Sequence, residues 1–333
     1  MAAFNIGIVG TGMMLDYHFE AFSQLPEAQV KGCTREYYGD AEQQALQRKS
    51  LEKAATELGI FPYPDFEAMA GDEQLDALVI ASINPYHYPH IIKALKSGKH
   101  VLAEKPVVTN SRHFKKITEL SRQSELLVFP SHNFVYRPAV AKAKEILDSG
   151  VLGTIVYSSF ISCFRTGDEH ARGWRASAEL SGGGALMDSG YHQVYQALHL
   201  LGMPQLVQSF KSKLVLKHME VEDFAMINAR YENGAIANIG QGHGTAFGDV
   251  ASGIKIVGEK GNIVITDACY HNGQKVAGDA GYANSFRHQA RYFIECLKNE
   301  GHPLSTLEDA RNTLTIINAA YESAENNQVI KIY

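Results

Sequence analysis

A two-part α/β fold is predicted from the order in which strand and helix patterns follow one another. Up to about residue 132, short apolar runs alternate with helical stretches, the pattern of a doubly wound parallel sheet. Beyond it, longer β-rich runs succeed each other and two of them are joined by a short Asn-Gly turn, the pattern of a mainly antiparallel sheet with helices around it. A length of 333 residues suits about two domains, and we divide the chain into residues 1–132 and 133–333.

Asn5 to Val9 is a short apolar run ending at a glycine and reads as the first strand. A helix follows from about Met13 to Gln24, and Gln29 to Cys33 is a second strand. Asp40 to Leu58 is a long charged helix stopped by Gly59, a residue suited to the left-handed position after a helix. Asp76 to Ala81 (DALVIA) is apolar throughout, as expected of a strand covered on both faces. Pro89 to Lys96 is a helix ended by Gly98. Then come strand His100–Ala103, helix Ser111–Arg122 and strand Leu126–Phe129. In the second part, Ala139 to Leu147 is a helix ended by Gly150. The β-rich runs are Thr154–Cys163, Leu206–Leu216, Phe224–Tyr231, Ala235–Gln241, Ile254–Val257 and Asn262–Thr266, with Asn233-Gly234 as the hairpin turn. Two helices close the chain, the last entered through Ser305-Thr306-Leu307-Glu308, a capping-box pattern.

Composition excludes several roles. The 31 Lys and Arg against 36 Asp and Glu leave a net charge of −5 with no basic run, a poor match to nucleic acid or an anionic membrane surface. No apolar stretch approaches the ~18 residues of a spanning helix. The opening MAAFNIGIVG lacks a charged segment of the export type. Cys33, Cys163, Cys269 and Cys296 are far apart and form no C-x-x-C pair, so neither a structural zinc site nor a disulfide framework is expected, and a cytoplasmic location is. None of the 14 histidines has convincing metal-ligand company, so no metal is expected.

Gly10-Thr11-Gly12 lies between the first strand and a helix that opens at Met13. The first glycine permits the tight turn. The second lets backbone approach a pyrophosphate at the helix N-terminus. Leu15 stands where a third small residue is usual, so helix–strand packing there must differ. The end of the second strand, where an acid would bond a ribose 2′-hydroxyl, reads Thr34-Arg35-Glu36. A hydroxyl followed by a guanidinium suits a 2′-phosphate, which favours NADP. The alternative is NAD, with Arg35 solvated and Glu36 on the ribose.

Two strings extend the reading beyond the fold. One is Gly98-Lys99-His100-Val101-Leu102-Ala103-Glu104-Lys105-Pro106. The other is Gly182-Gly183-Gly184-Ala185-Leu186-Met187-Asp188-Ser189-Gly190-Tyr191-His192. With the GIVGTG turn they resemble the glucose–fructose oxidoreductase / inositol dehydrogenase / rhizopine-catabolism (Gfo/Idh/MocA) family. The resemblance runs nearly end to end, including Ala319-Ala320-Tyr321-Glu322-Ser323-Ala324 in the closing helix. It implies a Rossmann domain, a C-terminal α/β domain with an open sheet, and a dimer or tetramer. The implied activity is NAD(P)-dependent hydride transfer at a carbinol or carbonyl of a sugar, polyol, inositol or glycoside. On this reading residues 1–132 bind the dinucleotide, and 133–333 bind the substrate and make the oligomer.

The resemblance assigns Lys105, Asp188 and His192 to catalysis, and the chemistry agrees. Oxidising a carbinol requires removal of its hydroxyl proton, which an imidazole does near neutral pH. An ammonium stabilises a developing alkoxide. A helix over Asp188–Leu201 would put Asp188 and His192 on one polar stripe, so that the carboxylate orients the ring or accepts a substrate hydroxyl. Taken singly, each has a plainer explanation: a helix histidine, a surface lysine, an acid at a helix N-terminus. Ser82-Ile83-Asn84-Pro85-Tyr86-His87 resembles the family's T-P-N-x-x-H string, which places Ser82, Asn84 and His87 along the cofactor groove. By the same resemblance Glu104 meets the nicotinamide ribose, with helix or loop capping as its competing role, and Asn133 meets the nicotinamide end. Trp174 and Arg175 resemble a W-[RK] pair of the family, with Trp174 either walling the substrate pocket or packing on the sheet, and His243, among glycines, is either a further substrate contact or a turn residue. Two other functions remain open: transient oxidation during glycoside cleavage with no net redox change, and a non-enzymatic dinucleotide-responsive regulator.

Overall fold

The computed structural model describes residues 3–167, 171–244, 252–279 and 281–332. Contacts divide the chain into two compact units, Met1–Asn133 with Tyr282–Leu307, and Phe134–Gly281 with Glu308–Tyr333.

In the first unit the strands are β1 (Phe4–Val9), β2 (Ala28–Thr34), β3 (Phe61–Pro62), β4 (Ala77–Ile80), β5 (His100–Ala103) and β6 (Val128–Pro130). They lie parallel in the order β3-β2-β1-β4-β5-β6. The helices between them are α1 (Met13–Ser23), α2 (Ala41–Leu58), α3 (Phe66–Gly71), α4 (Asn84–Lys96) and α5 (Arg112–Ser124). All four residues of β4 are buried, as its unbroken apolar run requires. Gly59 takes φ +66 at the end of α2, whose start carries a full Asp40/Gln43 capping box. Helix α4 begins at Asn84, ahead of the expected Pro89, because Pro85 sits in its first turn, where no backbone N–H is needed. Strand order reverses between β1 and β4, the place where open sheets of this kind bind ligands beyond their carboxyl ends.

The second unit contains α6 (Pro138–Asp148), β7 (Ile155–Phe164), the short α7 (Ala178–Ser181), α8 (Gly190–Leu201) and seven further strands. These are β8 (Leu206–Ser212), β9 (Phe224–Arg230), β10 (Ile236–His243), β11 (Gly253–Gly258), β12 (Asn262–Ile265), β13 (Ala268–His271) and β14 (Gln274–Gly278). After α9 (Gly281–Leu297) come α10 (Leu307–Asn326) and β15 (Ile330–Lys331). The nine strands run β14-β13-β12-β11-β7-β10-β9-β8-β15, antiparallel except for the β7–β10 pair. Gly234 has φ +88 in the expected β9–β10 turn. A second such turn, Asn272-Gly273 with φ 50 and 79, joins β13 to β14. Helix α8 packs on β7 and β10.

One segment departs from the expected division at residue 132. Helix α9 belongs to the first unit. Phe286 stacks on Tyr17 with centroids 5.1 Å apart and meets His18 edge-on, while Phe293 packs edge-on against Phe22 and Phe129. Aromatic burial of this size outweighs sequence adjacency. The expected capping box at Ser305 is also different: α10 begins at Leu307, and the Ser305 hydroxyl meets His132 Nδ1 at 2.6 Å.

Candidate active site, in two halves

The first half lies where β1 and β4 end. Gly10 has φ +121, and a Cβ there would fall 2.3 Å from the Ala81 carbonyl oxygen, so only glycine fits. Gly12 is the N-cap of α1, no side chain caps that helix, and a Cβ on Gly12 would meet nothing within 4 Å. An uncapped helix N-terminus behind an open glycine fits a dinucleotide pyrophosphate. Met13 is 54% exposed beside it, whereas Leu15 is buried in the core.

The expected ribose contacts are redistributed. Thr34 is fully buried and donates its hydroxyl proton to the Tyr63 carbonyl at 3.0 Å, so it does not present a hydroxyl to a phosphate. The β2 pairing with β3 encloses it. Arg35 is half-buried and donates from Nη1 to Thr11 Oγ1 at 3.0 Å, which holds the guanidinium at the glycine turn. The Glu36 carboxylate is bonded by His90 Nε2, and His90 Nδ1 meets Ser82 Oγ at 3.0 Å. Asn84 is mostly buried at the first residue of α4. His87 is buried, with Nδ1 2.7 Å from the Pro106 carbonyl and Nε2 2.8 Å from the Ser82 carbonyl. It ties the loop after β4 to the loop after β5 and does not line an open groove. Burial pushes its pKa down against the pull of the two carbonyls.

Glu104 is 6% exposed, so it pins the backbone in place of an exposed ribose contact. His18 Nε2 lies 2.9 Å from its Oε1, the Ser131 hydroxyl donates to Oε1 at 2.6 Å, and the Lys105 N–H donates to Oε2 at 3.1 Å. Burial alone would raise its pKa, but the His18 and Ser131 bonds and the Lys105 charge outweigh it and hold the carboxyl at about 2. Lys105 follows, half-buried, with its peptide to Pro106 cis. Asn133 Nδ2 donates to Ser285 Oγ at 2.7 Å from a buried position.

The second half is built on the glycine string. A Cβ on Gly184 would lie 2.0 Å from the Glu222 carbonyl oxygen, and one on Gly183 would lie 2.2 Å from the Tyr321 hydroxyl. The buried Glu222 carboxylate accepts the N–H groups of Gly184 and Leu186, each at 3.0 Å, and the Tyr321 hydroxyl at 2.8 Å. The glycines therefore let the loop pack around one carboxylate. The chain then reaches Asp188, which lies in the turn before α8, not within it: Ser189 is the N-cap. The expected helix over Asp188–Leu201 thus starts two residues later, at Gly190. Arg175 Nε lies 3.5 Å from Asp188 Oδ2, and the Arg175 guanidinium sits 4.3 Å over the Trp174 ring. This half unites three predicted residues, Trp174, Arg175 and Asp188.

His192 is 7% exposed on the first turn of α8. Its Nδ1 lies 2.7 Å from the Tyr195 hydroxyl, which also accepts the Phe134 N–H at 3.0 Å. Its ring stacks on Phe134 with centroids 4.6 Å apart. Sequence reasoning missed Tyr195, though the i, i+3 spacing from His192 was a usable signal. His243 ends β10, buried against the Phe164 ring at 5.1 Å. Among the described residues no helix is long and apolar enough to cross a membrane.

Comparison with known proteins matches both parts of the chain. Residues 4–132 match the family profile described as the oxidoreductase family, NAD-binding Rossmann fold, and residues 140–264 match the GFO/IDH/MocA C-terminal domain. D-xylose 1-dehydrogenase (NADP(+)) of Haloarcula marismortui is 24% identical over 307 residues, covering 86% of this chain and 81% of its own. Myo-inositol 2-dehydrogenase of Thermotoga maritima is 23% identical over 353 residues, covering 98% of each chain. The crystal structure of an oxidoreductase from Thermotoga maritima superposes with TM-score 0.85 at 25% identity, covering 99% of this chain and 98% of that one.

Proposed function

Because the chain belongs to the GFO/IDH/MocA family of NAD(P)-dependent oxidoreductases, we propose that Lys105, Asp188 and His192 carry its reaction at a CH–OH group of a sugar, polyol or inositol. The relatives named for D-xylose and myo-inositol support that substrate class. The observation that carries the proposal is the fixed imidazole: His192 Nδ1 is engaged by Tyr195 and its ring is stacked on Phe134. The imidazole then exchanges the substrate hydroxyl proton. The Lys105 ammonium supplies the positive charge that stabilises a developing alkoxide. Asp188, paired with Arg175, binds a substrate hydroxyl. When bound, the nicotinamide supplies the hydride acceptor or donor. Gly10, Gly12 and the first turn of α1 hold the pyrophosphate.

NADP is favoured over NAD. With Thr34 enclosed, the reading rests on Arg35, which Thr11 holds beside the turn, while the Glu36 carboxylate is engaged by His90. We also propose a homo-oligomer, a dimer or tetramer, through the outer face of the nine-stranded sheet. There Tyr157, Ile236 and Val257 are paired across neighbouring strands and exposed. The cytoplasm suits four free thiols, three of them buried.

The test is a sugar, polyol and inositol panel (glycosides included) followed by nicotinamide absorbance with both cofactors. Turnover of at least one member is expected, with the higher kcat/KM for NADP. His192→Ala and Lys105→Ala should each lower kcat by about 100-fold or more, with cofactor KM nearly unchanged. Near-wild-type turnover in both variants rejects the assignment.

A further inference from the structure

The two residues that follow β2 carry opposite instructions for the cofactor. A guanidinium there suits a 2′-phosphate. A carboxylate there bonds the free 2′-hydroxyl of NAD and repels a phosphate. This chain has both, Arg35 and Glu36. A further group must decide which of them meets the ribose.

The structure sends the two side chains to different places. Arg35 donates from Nη1 to Thr11 Oγ1 at 3.0 Å and from Nε to the Glu36 carbonyl at 3.3 Å, which keeps the guanidinium at the glycine turn. The Glu36 side chain turns instead to α4, where His90 Nε2 bonds Oε1. A carboxylate only accepts, so Nε2 carries the proton of that bond. The histidine is itself fixed. It is 4% exposed, its Nδ1 meets Ser82 Oγ at 3.0 Å, and its ring packs on Phe66 and Tyr86 with centroids 4.0 and 5.9 Å away. The Glu36 side chain is still 24% exposed, so the carboxylate is held aside and not locked into the core. Among the described residues no lysine or arginine pairs with it.

We propose that His90 sets the cofactor preference by withdrawing the Glu36 carboxylate from the ribose, which leaves Arg35 to take the 2′-phosphate. The proposal rests on the NADP reading of Arg35 and adds a positioning residue on a different element, three residues beyond the Ser82–His87 string. Freed from His90, the same carboxylate would turn the site towards NAD.

The experiment measures the dissociation constants of NADPH and NADH for the whole chain by titration calorimetry, which needs no substrate. The readout is the ratio of the two. His90→Phe keeps an aromatic ring against Phe66 and removes the donor. The freed carboxylate should then lower the preference for NADPH about tenfold or more, by weaker NADPH and tighter NADH binding. His90→Gln retains an N–H donor and should hold the ratio within about threefold of wild type. Adding Glu36→Gln to His90→Phe should restore the ratio. Glu36→Asp, one methylene shorter, loses its reach to His90. It should lower the ratio as His90→Phe does, and it serves if that variant does not fold. A wild-type ratio in both His90→Phe and Glu36→Asp overturns the proposal, as does a loss that persists when Glu36→Gln is added. Equal weakening of both coenzymes overturns it too, since a merely structural histidine would act that way. A wild type that binds NADH more tightly counts against the NADP reading of Arg35, and the response of the ratio to His90→Phe still decides the role of His90.

Discussion

At the scale of single residues, orientation is the main achievement of this structure. His192 is held at Nδ1 by Tyr195 and across its face by Phe134, and Tyr195 in turn takes the Phe134 N–H. Tyr195→Phe would leave both of those partners without their oxygen. We expect it to lower kcat about 10- to 100-fold with little change in KM, and to alter the imidazole tautomer balance seen by ¹⁵N NMR. Unchanged ring shifts together with unchanged kcat would count against a positioning role. Sequence reasoning could name His192, Asp188 and Lys105 because each sits in a distinctive string. It passed over Tyr195, three residues after His192, and it could not name Glu222 or His18, whose roles depend on partners that only the folded chain supplies. It misplaced the hydroxyl of Thr34 for the same reason: the Tyr63 carbonyl that takes its proton follows a strand too short to read.

At the scale of elements, backbone packing around the Glu222 carboxylate decides where the loop that leads to Asp188 runs. Gly184→Ala would drive a methyl into Glu222 backbone and side chain. Relief requires moving the loop that leads to Asp188. We expect a loss of about 3 kcal/mol or more in urea unfolding, at the upper end of overpacking costs, with activity falling alongside. A stability within about 0.5 kcal/mol of wild type would show that the loop yields easily. The long periodic elements were legible: β1, β2, β4 and α2 follow from apolar runs and caps. The two-residue β3 and six-residue α3 were not, since so few residues carry no period. The β13–β14 hairpin was also passed over, although Asn272-Gly273 announces it as plainly as Asn233-Gly234 announces β9–β10. Asp188 fell outside α8 because local periodicity does not reveal that Ser189 becomes the cap.

At the scale of the whole molecule, stability should fall in acid in two stages. His87 has its pKa lowered by burial, so the unfolded chain binds its proton more readily than the folded one, and stability declines as pH drops through about 6.5. Glu104 is held near 2 against an ordinary 4.5. Its contribution, about 3 kcal/mol by linkage, is complete above pH 4.5 and is lost between there and pH 2. Urea midpoints measured from pH 7 to pH 3 should show both declines, and Glu104→Gln should flatten the lower one. An equally steep lower limb in that variant would place the acid sensitivity elsewhere. The fold class was legible because pattern alternation reports layers. The return of α9 to the first unit was not, because its aromatic contacts form far along the sequence.

That returning helix bears on how the protein is made. The segment up to Asn133 leaves the ribosome without the Phe286 and Phe293 that cover Tyr17, Phe22 and Phe129. The nascent nucleotide-binding half therefore stays sticky until most of the polypeptide has been synthesised. A fragment cut at residue 132 should aggregate or bind chaperones, whereas a circular permutant that splices the 282–307 stretch onto it should stay in solution.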